Sequence, residues 1–468
     1  MDFLKEYDRT SEKSILEFAV KLVGKSFEDI IVSRVPGSRA DVLAAYGNKA
    51  RKGGLGNLLE EIYFGYKANS TQGADFTETG IELKATCYEI TNKGEYRAGE
   101  RLVLTMISYD KPVESDFYKS HAWEKMRKIL LIHYHRNKLL NDVLLYKIGF
   151  VTMFSPPKED LIIIQSDYDY IITKIKEGRA HELSEADTMY LGACTKGATA
   201  EKSTVPQLYG THIPARKRAF CFKVSYMTYV LNRYVIANGE ECESILHGEF
   251  EGTFENQIHK RLNAYVGLSI DELCVRYDVS SGAKNLGAML AYRMLGVKSN
   301  SAEEFVKANI VVKTIRIENT GKIKENMSFP TIQFADLANE EWEDSTFGNY
   351  LRETKFLFIV FRCNQNGEYI FRGGQFWNIP YADLEIDVRS VWEKTKGLVN
   401  CGLKIWMENG KYRSNLPKQS ENRVSHVRPH AKNSSDTCPL PDGRLFPKQC
   451  FWLNNSYILS QLRDDLKS

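Results

Sequence analysis

The feature that most constrains the fold of this chain is an internal repeat, because a repeat predicts that two parts of the chain adopt one structure. Three segments of the first half recur in the second half, in the same order. Residues 285–296 resemble 54–65, residues 304–314 resemble 75–85, and residues 450–457 resemble 219–226. The offset between the copies stays at about 230 positions in a chain of 468 residues. We therefore expect two domains, residues 1–238 and 239–468, joined near residues 237–250.

Strands and helices are predicted to alternate along the first half. Residues 81–85 and 144–154 carry the apolar, β-branched and aromatic side chains that favour strands, and residues 161–164 are strand-like as well. Residues 11–25 and 167–179 have the periodicity of helices. The chain is 43% apolar and 12% aromatic, which is enough core material for a folded protein. The expected class is α/β, with α+β mixed sheets in two tandem domains.

Charge and composition limit the function classes. The net charge is only +3, so a surface for nucleic acid would have to be local. No apolar run has the length of a membrane span, and the N-terminus lacks an apolar signal region, so no membrane association is expected. The nine cysteines form no C-x-x-C pair. This argues against a zinc knuckle or a dithiol motif and favours reduced thiols in the cytoplasm.

A compact set of charged residues surrounds the predicted strand at residues 81–85. Because strand side chains alternate between faces, Glu82 and Lys84 share the face opposite the apolar residues. Asp75 precedes this strand, far enough away for the chain to return beside Glu82. Carboxylates are ligands that Mg²⁺ prefers, and the ion lowers the pKa of water and neutralises phosphate charge. The pattern predicts a metal-dependent nuclease site, although Glu-x-Lys on a strand is more often a solvent-exposed face.

The two copies of the repeat differ at the charged positions. The changes from the first copy to the second are Glu60 to Ala291, Asp75 to Glu304, and Glu82 to Val311. Alanine and valine offer no oxygen to a metal, so the second copy is predicted to be catalytically silent. The loss of these groups from a repeat that otherwise persists indicates that they serve function rather than folding.

The residues described so far resemble those of a known family. Together with Lys196-Gly-Ala and Arg218-Ala-Phe, they resemble the MutH-like nucleases of the PD-(D/E)xK superfamily. Over essentially the whole chain, including Cys194-Thr-Lys-Gly-Ala and His426-Val-Arg-Pro-His430, the sequence resembles the Sau-3A type restriction enzymes. The resemblance implies two tandem MutH-like domains of restriction-endonuclease fold, with Mg²⁺-dependent cleavage of double-stranded DNA on the 5′ side of the G in GATC.

The resemblance also implies partners. The second, inactive domain would bind another GATC copy as an allosteric effector, and the enzyme could dimerise on DNA. A methyltransferase of the same restriction-modification system would act on the same sequence, without an implied direct contact.

Specific roles follow from the same resemblance. The catalytic set would be Glu60, Asp75, Glu82 and Lys84. Asp75 and Glu82 would ligate Mg²⁺, Lys84 would position the attacking water, and Glu60 would assist through a water of the metal. The spacing from the helix glutamate to Asp75 is one residue longer than in MutH, which leaves Glu61 as an alternative to Glu60. MutH-like enzymes carry a further lysine entering the next strand, and Arg101 is the candidate for that role here.

Basic residues outside this set are candidates for DNA contacts. Lys196 matches the MutH loop that contacts the major groove of GATC, and lysine to guanine N7 and O6 is a common specific contact. A phosphate contact or a solvent-exposed lysine is the alternative. The run Arg216-Lys217-Arg218 suits phosphates. Arg428 and His430 lie in the corresponding loop of the second half and would contact effector DNA.

Other functions remain open at this point. A MutH-type repair endonuclease that only nicks would use the same chemistry, but the full-length resemblance argues against it. A non-enzymatic GATC-binding protein would not need the intact acidic residues and Lys84. Zinc and nucleotide-binding enzymes are disfavoured, because the chain has no ligand-spaced Cys/His set and no G-x-x-x-x-G-K-[ST] loop.

Overall fold

A computed structural model of the protein describes residues 6–37, 40, 54–66, 73–91, 93–197, 203–210, 212–237, 242–246 and 252–468. The chain divides into two compact units. One comprises Met1–Cys242 with Val306–Ala308, and the other comprises Glu243–Phe305 with Asn309–Ser468. Much of the predicted junction, residues 238–241 and 247–250, lies outside the described residues.

The first two helices of the first unit begin at serine side chains that accept free backbone N–H groups. Ser11 accepts the N–H of Ser14, and Ser26 forms a capping box with Asp29. The helices are α1 (Glu12–Val20), α2 (Phe27–Arg34), α3 (Gly54–Leu58), α4 (His121–Met126), α5 (Lys158–Lys176) and α6 (Val224–Val230). Two π-helical turns follow α3 and α6, at Leu59–Tyr63 and Leu231–Val235. Short 3₁₀ turns lie at Phe117–Lys119, Val143–Leu145, Ala180–Glu182 and Glu185–Asp187.

The strands of the first unit form mixed and antiparallel sheets. They are β1 (Glu82–Ile90), β2 (Tyr96–Ala98), β3 (Leu102–Met106), β4 (Ile129–His135), β5 (Lys147–Phe154), β6 (Leu191–Thr195), β7 (Thr204–Val205), β8 (Ala215–Arg216) and β9 (Arg218–Phe222). The four-stranded sheet has the order β2-β1-β4-β5, in which β1 and β4 are parallel and the outer strands are antiparallel to their neighbours. A second sheet has the antiparallel order β3-β9-β6, and β7 pairs with β8. These mixed sheets with their helices confirm the predicted α/β class.

A core under the four-stranded sheet supports β1. Apolar residues of α1 and α2 and of the π turn after α3 pack with those of β1 and β4, among them Phe18, Leu59, Phe76, Leu83 and Leu130. The alternation predicted for residues 81–85 holds at Ile81 and Leu83, which are buried in this core.

The second unit has the following helices. They are α7 (Phe254–Asn263), α8 (Ile270–Tyr277), α9 (Leu286–Met294), α10 (Glu303–Ala308), α11 (Phe334–Asn339), α12 (Thr346–Glu353), α13 (Arg389–Cys401), α14 (Asn455–Gln461) and α15 (Asp464–Lys467). The last three residues of α10, Val306–Ala308, belong to the first unit. A π-helical turn, Asp383–Val388, precedes α13, and 3₁₀ turns lie at Trp342–Asp344 and Gln419–Glu421.

Its strands are β10 (Ile310–Ile317), β11 (Met327–Thr331), β12 (Lys355–Cys363), β13 (Tyr369–Trp377), β14 (Ile405–Glu408), β15 (Lys411–Ser414), β16 (Ser425–Pro429), β17 (Thr437–Pro439), β18 (Leu445–Pro447) and β19 (Gln449–Leu453). One sheet has the order β10-β12-β13, with β10 parallel to β12 and β13 antiparallel to it. A second has the antiparallel order β11-β19-β16. The pairs β14-β15 and β17-β18 are separate two-stranded sheets.

The prediction of a strand at residues 161–164 is wrong, because these residues lie within α5. Ile163 and Ile164 are buried there. A short apolar run is compatible with a buried strand or with the buried side of a helix, and periodicity alone does not separate the two. None of the helices in the described ranges is long and apolar enough to cross a membrane.

Candidate active site

A tight turn brings Asp75 back beside β1. Phe76 pairs with Ile81 as an antiparallel bridge, in which the Phe76 N–H donates to the Ile81 carbonyl at 2.9 Å. Gly80 has a φ of 66° in this turn, a conformation that glycine adopts without steric cost. The Asp75 Oδ2 atom then accepts the N–H of Leu83 at 2.8 Å. The predicted return of the chain therefore holds, and Asp75 lies at the start of the strand that carries Glu82.

Glu82 is a buried carboxylate held between two lysines. Its side chain is 3% exposed, and its Oε1 atom lies 2.8 Å from the Lys84 Nζ atom. Its Oε2 atom accepts a hydrogen bond from the Lys125 Nζ atom, also at 2.8 Å. Because an unpaired buried charge is costly, these two cations are what permit an ionised carboxylate here.

Lys125 was not identified from the sequence. It lies near the end of α4, one helical turn before β4, and β4 is the parallel neighbour of β1 with Ile129 opposite Glu82. Its Nζ atom also donates to the Gly73 carbonyl at 2.6 Å. Arg101, the sequence candidate for the further lysine, is instead paired with Glu185. That candidate is corrected: the second cation on Glu82 comes from α4.

The π-helical turn after α3 distinguishes the two helix glutamates. Glu60 is half-buried on this turn and Glu61 is exposed. Burial, and then the negative charge of Asp75, raise the pKa of Glu60 to about 7, while Lys84 acts in the opposite direction. Glu60 is therefore close enough to Asp75 and Lys84 for their charges to affect its pKa.

Asp75 also binds its proton more tightly than a free aspartate. Burial and the nearby Glu82 raise its pKa to about 6, against the opposing effects of the Leu83 N–H, Lys125 and Lys84. Clustered carboxylates repel one another when they are ionised in a site that is partly shielded from water. A divalent cation would relieve this repulsion.

The donor set fits a hard cation with few protein ligands. No group of three or more His, Cys, Asp and Glu side chains in the described part of the chain is arranged to hold a metal. Mg²⁺, however, keeps several waters and is commonly bound through one or two carboxylates together with a phosphate of the substrate. Asp75 and Glu82 supply two carboxylates.

Tyr66 is a second residue that the sequence did not indicate. Its backbone N–H donates to the Glu60 carbonyl at 3.0 Å, and its ring meets the ring of Phe76 edge-on, with centroids 5.5 Å apart. The side chain therefore lies between the segments that carry Glu60 and Asp75.

The corresponding strand of the second unit carries different groups. Val311 lies opposite Phe356 in the pairing of β10 with β12. Burial lowers the pKa of Lys313, whose Nζ atom lies 6.0 Å from the centre of the Phe329 ring. Glu304 accepts the backbone N–H groups of residues 245 and 246. Its carboxylate is thus used to hold a loop.

The basic residues predicted to bind DNA are only partly brought together. The Lys196 N–H donates to the Lys217 carbonyl at 2.8 Å, so these two residues continue the pairing of β6 with β9. Lys217 is exposed and Lys196 and Arg216 are half-exposed. Arg218 is 3% exposed, and its Nη1 atom donates to the Ala193 carbonyl at 2.6 Å. This corrects the expectation for Arg218, because an enclosed guanidinium does not face a phosphate.

In the second unit, Arg428 and His430 lie exposed around one tryptophan. The Arg428 guanidinium lies 4.9 Å from the centre of the Trp452 ring, and the His430 ring meets it edge-on at 5.5 Å. The His430 N–H donates to the Lys448 carbonyl at 2.9 Å. The two predicted residues therefore share one exposed surface at the end of β16.

Comparison with known proteins agrees with this geometry. The family model of the DNA mismatch repair enzyme MutH matches residues 64–167, which include Asp75, Glu82, Lys84 and Lys125. The type II restriction enzyme Sau3AI of Staphylococcus aureus is 34% identical over 466 residues, covering 89% of this chain and 93% of its own. The DNA mismatch repair proteins MutH of Vibrio campbellii and Vibrio vulnificus are 24% and 23% identical, and cover 48% and 47% of this chain.

The mixed sheet, the acidic site with its lysines and these matches define a MutH-like nuclease, a site-specific deoxyribonuclease. The MutH proteins match about half of the chain, whereas the similarity to the restriction enzyme extends over nearly all of it. The protein belongs to the Sau3AI family of type II restriction endonucleases.

Proposed function

We propose that the protein hydrolyses double-stranded DNA at GATC, on the 5′ side of the G, with Mg²⁺ as cofactor. The observation that carries this proposal is the arrangement of Glu82, which is held between Lys84 and Lys125 next to Asp75. Asp75, Glu82 and the two lysines carry equal numbers of negative and positive charges when ionised, so a bound Mg²⁺ would supply the positive charge that a DNA phosphate requires. The sequence GATC is proposed from the family resemblance described above.

Each residue of the site would have a distinct task. Asp75 and Glu82 would hold Mg²⁺, which supplies positive charge at the phosphate and lowers the pKa of water. Lys125 fixes the orientation of Glu82 from the side of Gly73. Lys84 would orient the attacking water. Glu60, with its pKa of about 7, can accept or release a proton near neutral pH.

The second unit is proposed to be a silent copy of the first that binds a second GATC as an effector. In support, β10-β12-β13 has the strand order and directions of β1-β4-β5, and β11-β19-β16 has the antiparallel order of β3-β9-β6. The bond from the Lys196 N–H to the Lys217 carbonyl has its counterpart between His430 and Lys448. Val311 offers no ligand where Glu82 would be needed.

Digestion of an unmethylated plasmid with Mg²⁺, followed by sequencing of the cut ends, tests the reaction and the specificity together. We expect cuts before the G of every GATC, and their loss with Asp75→Ala. Nicks confined to one strand would favour the repair-type reaction. DNA binding without any cleavage would favour a non-enzymatic GATC-binding protein.

A further inference from the structure

Tyr66 has a buried hydroxyl group with no hydrogen-bond partner among the described residues. Leaving such a group unpaired costs about 1–3 kcal/mol, so its retention calls for a reason. Two neighbouring tyrosines show the ordinary solution: Tyr7 donates to the Phe64 carbonyl at 2.9 Å and Tyr63 to the Phe18 carbonyl at 2.8 Å. Phenylalanine at position 66 would pack against Phe76 equally well without this cost.

The surroundings of Tyr66 indicate what its hydroxyl could meet. The tyrosine is anchored by its backbone to Glu60, and its ring contacts Phe76, the residue after Asp75. Burial and then the charges of Asp75, Glu60 and Glu82 raise the pKa of its phenol. The group therefore remains an O–H donor close to acidic side chains. It needs an acceptor oxygen, and a cation with its substrate would bring one.

We propose that Tyr66 is a ligand-binding residue of the active site, whose hydroxyl donates to an oxygen atom carried in by the hydrated divalent cation or by the DNA phosphate. This inference rests on the proposed Mg²⁺-dependent nuclease function. No bond is formed or broken by Tyr66; it contributes one hydrogen bond to the bound complex and none to the empty site.

The experiment compares the full-length wild type with Tyr66→Phe and with the control Tyr7→Phe, which loses a hydrogen bond within the protein. Thermal unfolding is followed in EDTA, in Ca²⁺, and in Ca²⁺ with a GATC duplex, and the affinities for Ca²⁺ and for the duplex are titrated. Ca²⁺ serves as the cation so that DNA can be bound without relying on cleavage. In EDTA we expect Tyr66→Phe to unfold at or above the wild-type temperature, and Tyr7→Phe to unfold below it.

When ligands are present, Tyr66→Phe should be the more impaired of the two variants. Tyr66→Phe should bind about 10-fold more weakly, which corresponds to about 1.4 kcal/mol, and Tyr7→Phe should bind like the wild type. A loss already seen with Ca²⁺ alone assigns the acceptor to the hydrated cation. A loss seen only with the duplex assigns it to the phosphate.

Two results would overturn the inference while leaving the nuclease function intact. One is a Tyr66→Phe protein that binds both ligands within about twofold of the wild type. The other is a lower unfolding temperature in EDTA, since the hydroxyl would then already have a partner in the protein. A wild type that neither binds Ca²⁺ nor cleaves DNA would instead overturn the proposed function, and this inference with it.

Discussion

At the scale of single residues, Glu82 explains why the site combines acids and bases. A carboxylate that is 2% exposed is tolerated only if cations replace the water it has lost. Lys84 and Lys125 do so from opposite oxygens. Asp75 and Glu60 add negative charge beside them, so the site is not positive until a cation binds. The two lysines therefore meet the folding requirement of Glu82, whereas a phosphate would depend on the bound cation.

Lys125→Met should slow cleavage by about 100-fold, because Glu82 loses one of the two donors that orient it and positioning errors of this kind commonly cost such factors. Lys128→Met is the matched control, since Lys128 is nearby but pairs with Glu12 on the surface. Single-turnover rates with saturating Mg²⁺ measure the effect. Equal rates for the two variants would exclude Lys125 from the site.

The raised pKa of Asp75, about 6, predicts a pH dependence of stability without metal. An aspartate has a pKa of about 3.9 when unfolded, so the folded state holds the proton more tightly. The stabilising contribution is present below about pH 4 and is lost as the pH rises through about 6. The free energy of unfolding, measured with urea in EDTA, should therefore decline less between pH 5 and pH 8 in Asp75→Asn than in the wild type, by about 1.4 kcal/mol. Equal declines in both proteins would contradict the assignment.

At the scale of elements, local sequence patterns predict only those site residues that lie on β1 and on the turn before it. The alternation of strand side chains predicts that Glu82 and Lys84 share one face. The turn before β1 predicts that Asp75 lies beside Glu82. Lys125 could not be found this way, because it approaches Glu82 only through the parallel pairing of β1 with β4. Residues 161–164 are predicted to form a strand but lie in a helix. The periodicity of such a short apolar run does not determine its structure, which depends on burial by neighbouring elements. A lysine one turn before a predicted buried strand is the signal to look for.

The π turn after α3 predicts different effects for two adjacent glutamates. Glu60 is half-buried on this turn and its pKa is raised in part by Asp75, whereas Glu61 is exposed. Glu60→Gln should lower the cleavage rate by about 10²-fold, the lower range for removal of an acid–base group. Glu61→Gln should stay near the wild-type rate. The two rates are measured in Mg²⁺ at pH 7, and the opposite order would make Glu61 the active glutamate.

The extension of β6 beyond Thr195 offers Lys196 for reading a base. If it contacts guanine, Lys196→Ala should reduce discrimination between GATC and single-base variants by about 1–3 kcal/mol. Lys147→Ala, on the exposed start of β5, is the control for a general loss of positive charge. Affinities for the matched and altered duplexes in Ca²⁺ provide the measure. A loss of equal size for all sequences would indicate a phosphate contact.

At the scale of the whole molecule, two units with the same strand orders differ in their chemistry. The first has a carboxylate at Glu82, and the second has Val311 at the matching place in its sheet. Yet the second unit keeps an exposed cationic and aromatic surface formed by Arg428, His430 and Trp452. Under the proposed function, this surface would bind effector DNA, while Val311 would leave the unit without the metal ligand that Glu82 provides in the first.

The effector proposal predicts that DNA with two GATC sites is cut faster than DNA with one site. The double substitution Arg428→Ala with His430→Ala should remove most of that stimulation, about fivefold or more, because the effector loses its contacts. The one-site rate should change little, because the catalytic residues lie in the first unit. Arg413→Ala, on the exposed strand β15, is the control for loss of a surface charge. Equal rates on one-site and two-site DNA in the unmodified protein would show that the second unit does not act as an effector domain.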